Sequence, residues 1–510
     1  MKILSAEEIR LLDKFTISNE PIASIDFMER AATAFADAII AHLHSSDKIF
    51  VFCGMGNNGG DGLAIARLLI ERGFLHVQTY VVKHSPKTTD DFLKNEERLK
   101  HLSSVHYIET ELQLPSISAK DKVIDAIFGI GLSRAVEGVS AFVINALNKS
   151  GASIFSVDIP SGLFCDKPNL PNNVIIKAEK VFTFHAPKLS FLLPSANDYV
   201  RDFAVLDIGL NSLYADSLAS NNYYLQAKDI KHILKPRKKF SHKGTYGHTL
   251  ICAGSYGKIG AATLSVKAAL RSGTGLVTAM VPECGYEIMQ VANPEAMISA
   301  YPRPLANKER ELLTPSYLET DLSKYSAIGV GPGIGTESGS AQFLVDLFLL
   351  YKKPMVVDAD ALNILAGHKK FLEKLPENSI LTPHPGEFKR LAGEWKDDLE
   401  KLELQRNFAR KHKVVVVLKG AHTTIVTPEG KLYFNSTGNA GMAKGGSGDV
   451  LTGVISALLA QGYTAEEAAM VGVYVHGLAG DYAATDLGKT ALTAGDIIRY
   501  LPKAFSSVEV

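Results

Sequence analysis

Short apolar runs alternate with amphipathic stretches along the chain. In the first half the runs are KIFVFCG (48–54), HVQTYVV (76–82), KVIDAIFG (122–129), ASIFSVDIP (152–160), KVFTFHA (180–186) and FAVLDIG (203–209). They are short and nearly continuous in hydrophobicity, which predicts strands buried on both faces of a parallel sheet. Helical stretches lie between them, such as DGLAIARLLIERG, whose closing Gly73 fits a helix C-terminus. A polar, weakly patterned stretch, NSLYADSLASNNYYLQAKD (211–229), then interrupts the pattern. The alternation restarts with GHTLICAGS (247–255), GLVTAMVP (275–282), SAIGVGPG (326–333), PMVVDAD (354–360), SILTPHP (379–385), KVVVVLKG (413–420) and HTTIVTP (422–428). Two α/β domains follow, with a boundary at 215–225, drawn as 1–220 and 221–510. The halves do not resemble each other.

Length agrees: 510 residues exceed one compact core. Hydrophobic residues make up 46% and charged residues 21%, as in globular proteins. Lys+Arg and Asp+Glu both number 54, which leaves no global field to recruit nucleic acid or an anionic membrane. The basic run KPRKKFSHKG (235–244) reads as a solvated linker or a phosphate-facing edge. Cys53, Cys165, Cys252 and Cys284 are scattered, as reduced thiols of a cytoplasmic protein would be. The N-terminal MKILSAEEIRLLDKF lacks the apolar core of a secretory signal, and no run is long enough to span a membrane. No H-E-x-x-H or other transition-metal spacing occurs among the histidines.

Chemistry enters first at FCGMGNNGGDGLAIARLL (52–69). Gly54, Gly56 and Gly59 spell the dinucleotide fingerprint between a strand and a helix. That fingerprint needs an acidic residue about 20 positions on for the ribose. Here the next strand ends in Lys83 and His84. The loop instead crowds Asn57, Asn58 and Asp61 among glycines, which predicts a close backbone approach to a ligand. A turn merely capped by Asn and Asp is the alternative. Two further strand ends carry polar clusters: Asp125 with Gly129, Gly131, Ser133 and Arg134, and Asp158 with Ser161. Ligands of open α/β sheets lie beyond such strand ends.

GMGNNGGDGLAIARLL, VIDAIFGIGLSR and SVDIPSGL together resemble the YjeF N-terminal family, the NAD(P)H-hydrate epimerases, across nearly all of the first domain. The resemblance implies a Rossmann-like three-layer domain that interconverts the R and S forms of hydrated NADH and NADPH. It implies that Asn57, Asn58, Gly59, Gly60 and Asp61 hold this substrate. A second substrate segment is implied at Gly129, Ile130, Gly131, Leu132, Ser133, Arg134 and Ala135, with Asp158 beside it. It also implies a potassium ion on Asn58, Asp125 and Ser161, whose oxygen donors suit a hard cation. Asp158 is the expected proton-transfer group, since epimerisation at the hydrated carbon must move protons.

In the second half, STGNAGMAKGGSGDVLTG (436–453) sets Gly445, Gly446, Ser447 and Gly448 before Asp449 and an apolar helix. Backbone N–H groups of such a turn make an anion hole, and Asp449 stands where a hydroxyl must lose its proton to attack phosphorus. A simple helix cap is the bland reading. Asp358, Asp360 and Asn363 suit magnesium or a structural role. This arrangement resembles the ribokinase-like superfamily. With SHKGTYGH, GAATLSVKAALRSGTGLVT, GPGIG, VVDADALN, TPHPGE and KGAHT it is similar, more narrowly, to the ADP- or ATP-dependent NAD(P)H-hydrate dehydratases. Ala440 departs from the proline common there. The resemblance implies contact of the hydrate with Ala261 or Ala262, Gly331, Gly333, His384 and Asp449. It places the adenine nucleotide, ADP or ATP with Mg²⁺, on Lys419, Gly420, Ala421, His422, Thr423 and Gly448. Asp449 is then the base.

The implied whole is a cytoplasmic, homo-oligomeric repair enzyme for NADHX and NADPHX, without nucleic-acid or membrane partners. Two other readings stay open: a hydroxymethylpyrimidine- or hydroxyethylthiazole-like vitamin kinase with an N-terminal ligand-binding module, and a first domain that only binds RNA or protein.

Overall fold

The computed structural model describes residues 1–169, 172–301 and 321–509. The chain divides into two compact units, Met1–Asn221 with Asp397–Leu399, and Asn222–Lys396 with Glu400–Val510.

The first unit is built on a seven-stranded sheet. Its strands are β1 (Ile49–Cys53), β2 (Val77–Val82), β3 (Val105–Ile108), β4 (Lys122–Ala126), β5 (Ser153–Val157), β6 (Lys180–Phe184) and β7 (Phe203–Leu206), in the order β3-β2-β1-β4-β5-β6-β7. Every pairing is parallel. The helices are α1 (Ala6–Asn19), α2 (Ser24–Ile39), α3 (Asn57–Glu71), α4 (Asp90–Lys100) and α5 (Gly138–Ser150). Separate apolar cores cover the two sheet faces. Phe35 of α2 and Leu63 of α3 pack with Val51 on one side; Val143 and Leu147 of α5 pack with Phe52 on the other. This is the expected three-layer, Rossmann-like order, and its switch point lies between β1 and β4, where the chain winds outward in both directions. Six of the seven strands coincide with the apolar runs. The seventh, β3, is an edge strand that is buried only at Ile108, so its sequence carries no continuous apolar signal.

The glycines after β1 do a different job from the one expected. The structure makes Asn57–Asp61 the first turn of α3. None of Gly54, Gly56, Gly59, Gly60 or Gly62 has a positive φ. They let α3 press onto the sheet: a Cβ on Gly59 would lie 1.9 Å from the Gly54 carbonyl oxygen, and one on Gly62 would lie 2.6 Å from the Ala126 Cβ. Gly73, at φ +91°, is the glycine that ends the helix by its conformation.

The second unit has strands β8 (Asn222–Tyr224), β9 (His248–Cys252), β10 (Leu276–Pro282), β11 (Met297–Tyr301), β12 (Ala327–Val330), β13 (Met355–Val357), β14 (Ile380–Leu381), β15 (Val415–Leu418), β16 (Thr424–Val426) and β17 (Leu432–Phe434). They run β11-β10-β9-β12-β13-β14-β15-β16-β17-β8. The sheet is parallel from β11 to β15, and the β16–β17 hairpin is antiparallel, a feature absent from the all-parallel expectation. The helices that position the site are α6 (Ile259–Arg271), α7 (Ala359–Gly367), α8 (Pro385–Ala392), α9 (Ser447–Ala460) and α10 (Ala465–Leu487). Helix α9 is the buried centre, with Val450, Val454, Ile455 and Leu458 all in the core. It can approach α6 because residue 453 is glycine: a Cβ there would lie 2.1 Å from the Ser265 carbonyl oxygen.

Candidate active sites

In the first unit a cavity of about 800 Å³ opens where β1, β4 and β5 end. Asn57, Asn58 and Asp61 line it from α3, Gly129 through Arg134 from the loop after β4, and Asp158 from the turn after β5. The structure thus brings together residues far apart in sequence. It does not bring every expected residue to the wall. Gly59 and Gly60 are buried in helix packing, and Ala135 lies off the wall. Helix α3 has no side-chain cap, so the N–H groups of its first turn have no such partner at the cavity.

Behind the wall, Asp125 is fully buried. Its Oδ2 accepts hydrogen bonds from Ser156 Oγ and the Ser161 amide, both at 2.8 Å, and its Oδ1 accepts one from Ser161 Oγ at 2.5 Å. Burial holds this carboxyl above its usual value, with the hydrogen bonds opposing the shift. The Asn58 side-chain nitrogen is buried with no hydrogen-bond partner. It stands beside Gly129, where a Cβ would lie 3.2 Å from the Asn58 Cβ. An unsatisfied buried amide nitrogen is a hydrogen-bond donor with capacity left over for a ligand.

Asp158 has φ +63°, and His185 across the cavity has φ +67°. Non-glycine residues held there cost of order 1–3 kcal/mol each and cluster at functional sites. The Asp158 Oδ1 accepts three hydrogen bonds: from Lys188 Nζ at 2.6 Å, the Phe184 amide at 3.0 Å and Thr183 Oγ1 at 3.1 Å. Lys188 is only 1% exposed. Among the cavity residues that escaped sequence reasoning are Lys188, which follows the β6 run in the FHAPK segment, and Asp13, which comes from α1. Burial, then Asp158, push the Asp13 carboxyl up to about 6, against the pull of Lys188. Asp61 is raised well above the usual range by burial, Asp158, Asp13 and Asp91.

The second unit has a cavity of about 860 Å³. Lys419 to Thr423, His384, Ser447 and Gly448 line it. Gly446 supplies φ +91° at the start of α9, and the Ser447 hydroxyl just inside is buried without a partner. Asp449 sits in the first turn of α9, its backbone oxygen accepting a hydrogen bond from Ser265 Oγ at 2.9 Å. Its carboxyl is pushed up to about 6 by burial first, then by Asp358 and Asp360, with Lys419 opposing. Asp358 is buried between Lys419 Nζ at 3.0 Å and Thr452 Oγ1 at 2.7 Å. Lys419 reaches under the glycine turn: a Cβ on Gly448 would lie 3.3 Å from its Nζ.

Other expected residues separate into site and scaffold. Ala261 stands beside Gly333, where a Cβ would lie 3.3 Å from its own. Ala262 is fully buried in the core, so of the pair only Ala261 has a face to offer. Gly331 has a packing reason, since a Cβ there would lie 1.9 Å from the Asp358 carbonyl oxygen. His384 caps α8, its Nδ1 accepting from the Gly386 amide at 3.0 Å, while its ring stays half exposed. Asp360 is held by Lys258 at 3.3 Å and the Gly335 amide at 3.0 Å, and Asn363 by Arg390 at 2.8 Å. His476 was missed. It lies inside the apolar run of α10, which signals only core, yet it lines the cavity with Nε2 3.0 Å from the Ser447 carbonyl oxygen. Burial lowers it to about 4, a neutral imidazole. Among the described residues no three His, Cys, Asp or Glu side chains cluster to hold a metal ion.

Comparison with known proteins adds an independent line. Residues 249–503 match the NAD(P)H-hydrate dehydratase family, and residues 24–190 match the YjeF-related protein N-terminus family. The chain is 37% identical to the bifunctional NAD(P)H-hydrate repair enzyme of Moorella thermoacetica, covering 100% of this chain and 97% of that protein. It is 31% identical to the enzyme of the same name from Escherichia coli, covering 98% and 93%. A solved ADP/ATP-dependent NAD(P)H-hydrate dehydratase from Bacillus subtilis, co-crystallized with ATP/Mg²⁺, is 31% identical over 57% of this chain and all of its own, with a TM-score of 0.48.

Proposed function

Since the chain belongs to the bifunctional NAD(P)H-hydrate repair enzymes, we propose that it carries out both halves of that repair, one in each unit. Residues 1–220 epimerise the R and S forms of hydrated NADH and NADPH. Residues 221–510, with a ribokinase-like architecture, dehydrate the S form while an adenine nucleotide is hydrolysed. What carries this reading is the pairing in one chain of two separate carboxylate-bearing sites. One is a switch-point cavity holding Asn58, Asp61 and Asp158. The other is a glycine turn that delivers Asp449 beside Asp358 and Lys419.

In the second site the difficulty is that hydroxide leaves poorly. Asp449 takes the proton of the ring hydroxyl, and that oxygen attacks the terminal phosphoryl group, whose bond to the bridging oxygen breaks as the shortened nucleotide (AMP from ADP, ADP from ATP) leaves. The ring nitrogen's lone pair then expels phosphate as a C=N bond forms, and loss of a proton from the adjacent ring carbon restores the dihydropyridine. Open N–H groups at the start of α9 and the ammonium of Lys419 face the charge that builds in transfer. Mg²⁺, bound with the nucleotide, would neutralise phosphate charge. Magnesium commonly relies on one or two carboxylates plus phosphate and water, and Asp358 and Asp360 are the candidates for that role. In the first site Asn58, Asp125 and Ser161 would hold potassium, whose charge would favour binding of the substrate's polar groups. The side-chain oxygen of Asn58 and the oxygen atoms of Asp125 and Ser161 are the kind of ligand a hard cation takes. Three buried, unpaired cysteines support a cytoplasmic setting.

The test is incubation of mixed NADHX epimers with ADP or with ATP. Recovery of the dihydronicotinamide absorbance with stoichiometric phosphate release is the expected result. A stable phosphorylated product without that recovery would instead make the protein a small-molecule kinase.

A further inference from the structure

Epimerisation by loss and return of water imposes a requirement that one carboxylate does not meet. Water must leave one face of the carbon next to the ring nitrogen and return to the other. One group has to give a proton on the first face, and a second has to take one on the opposite face. Asp158 supplies one such group. The first cavity holds two further carboxylates, Asp13 and Asp61.

We propose that Asp13 is the second proton-transfer residue of the epimerase, working with Asp158 across the substrate. The proposal rests on reading the first unit as an epimerase. In one direction the Asp13 carboxyl gives its proton to the hydroxyl oxygen. The C–O bond breaks with its electron pair leaving on water, and the ring nitrogen's lone pair forms a C=N bond. Water adds to the opposite face as that pair returns to nitrogen, and the Asp158 carboxylate takes the proton the entering water sheds. Solvent carries this proton back to Asp13, and the reverse reaction exchanges the two roles.

The geometry separates the three carboxylates. Asp158 uses only Oδ1 for Lys188, Thr183 and Phe184, which leaves Oδ2 to face substrate. Asp13 accepts no hydrogen bond among the described residues and comes from a different element, helix α1. That helix is fixed by a capping box in which Ser5 Oγ accepts from the Glu8 amide at 3.2 Å and Glu8 accepts from the Ser5 amide at 2.9 Å. Besides Asp61, Asp158 and Lys188, the charged and titratable groups around the cavity are Arg10 of the same helix, Arg134 and two histidines. Burial lowers both histidines, His84 and His185, so they stand neutral near pH 7. Asp61 is raised well above the usual carboxylate range by burial and three neighbouring carboxylates, whereas Asp13, at about 6, can both give and take a proton near neutrality.

The full chain, without nucleotide, is assayed for conversion of purified S-NADHX to the R form by chromatography from pH 5.5 to 8.5. The transfer needs the pair to carry a proton, so the wild-type rate is expected to fall as pH rises above about 6. Asp13→Asn is expected to lose roughly 100-fold in rate and the pH-dependent fall with it. Asp13→Glu is expected to keep the fall at a reduced rate, which separates lost chemistry from lost folding. Wild-type speed in Asp13→Asn, or slower turnover with the wild-type pH profile, would overturn the role of Asp13. So would a flat profile in a folded Asp13→Glu protein. A wild-type chain that does not interconvert the epimers would instead overturn the epimerase reading itself.

Discussion

Asp449 shows how much chemistry a single position can concentrate. Its sequence neighbours announce it, because glycines on one side and an apolar helix on the other leave a carboxylate little to do but meet a ligand. Its surroundings then tune it. Burial and the nearby Asp358 and Asp360 hold the carboxyl at about 6, above the usual 3.8. A base must be ionised, and Asp449 ionises above about 6, so dehydration should fall as pH drops through that value while the nucleotide stays in excess. Asp449→Asn should lower dehydration by about 10²- to 10⁴-fold and leave the epimers equilibrating. Phosphate release and epimer chromatography on the same sample check both halves, and loss of both activities would defeat the two-site assignment. Other residues of these sites carried no such signal. Asp13 lies on a helix that reads as scaffold, Lys188 follows a strand without a motif, and His476 hides in an apolar run. Each becomes functional only through what the fold brings against it, and spacing along the chain does not encode that.

At the scale of elements, legibility follows burial. Strands covered on both faces, such as Ile49–Cys53 and Val415–Leu418, are continuous apolar runs and stand out. The strands that escaped notice are short or lie at sheet margins: Val105–Ile108, Met297–Tyr301, Leu432–Phe434 and Asn222–Tyr224, the last within the polar stretch read as a boundary. Helix contacts were equally silent, because a glycine's need for closeness looks the same in sequence as its need for a turn. Gly453 tests the difference. Alanine favours a helix by about 1 kcal/mol over glycine. A Cβ at 453 would nevertheless meet the Ser265 backbone at 2.1 Å, and a backbone cannot rotate aside. Overpacking of that kind costs about 1–3 kcal/mol. Gly453→Ala should therefore destabilise the second unit in denaturant titration, and dehydration should weaken as α9 shifts, since Ser265 also holds the Asp449 carbonyl. Gly495→Ala is the control: exposed, with Thr493 Oγ1 nearest at 3.8 Å, it should be neutral or slightly stabilising.

For the whole molecule, the consequence of joining the two activities is kinetic. A dehydratase that accepts one epimer leaves the other to accumulate, unless the two interconvert faster than they form. In a mixed pool, Asp158→Asn protein should recover NADH quickly only up to the S fraction and then stall at the rate of uncatalysed epimerisation. Asp449→Asn protein should recover none, yet should keep the epimers at equilibrium. If the hydrate released by one site reaches the other through solvent, mixing the two variants should restore full recovery. The final rate should then rise with the concentration of the Asp449→Asn partner. Recovery that stays stalled in the mixture would mean that the Asp449→Asn protein does not equilibrate the free epimers, and would overturn the two-site assignment. The absorbance trace distinguishes the cases directly: a second phase whose rate depends on the added partner, or a plateau that does not.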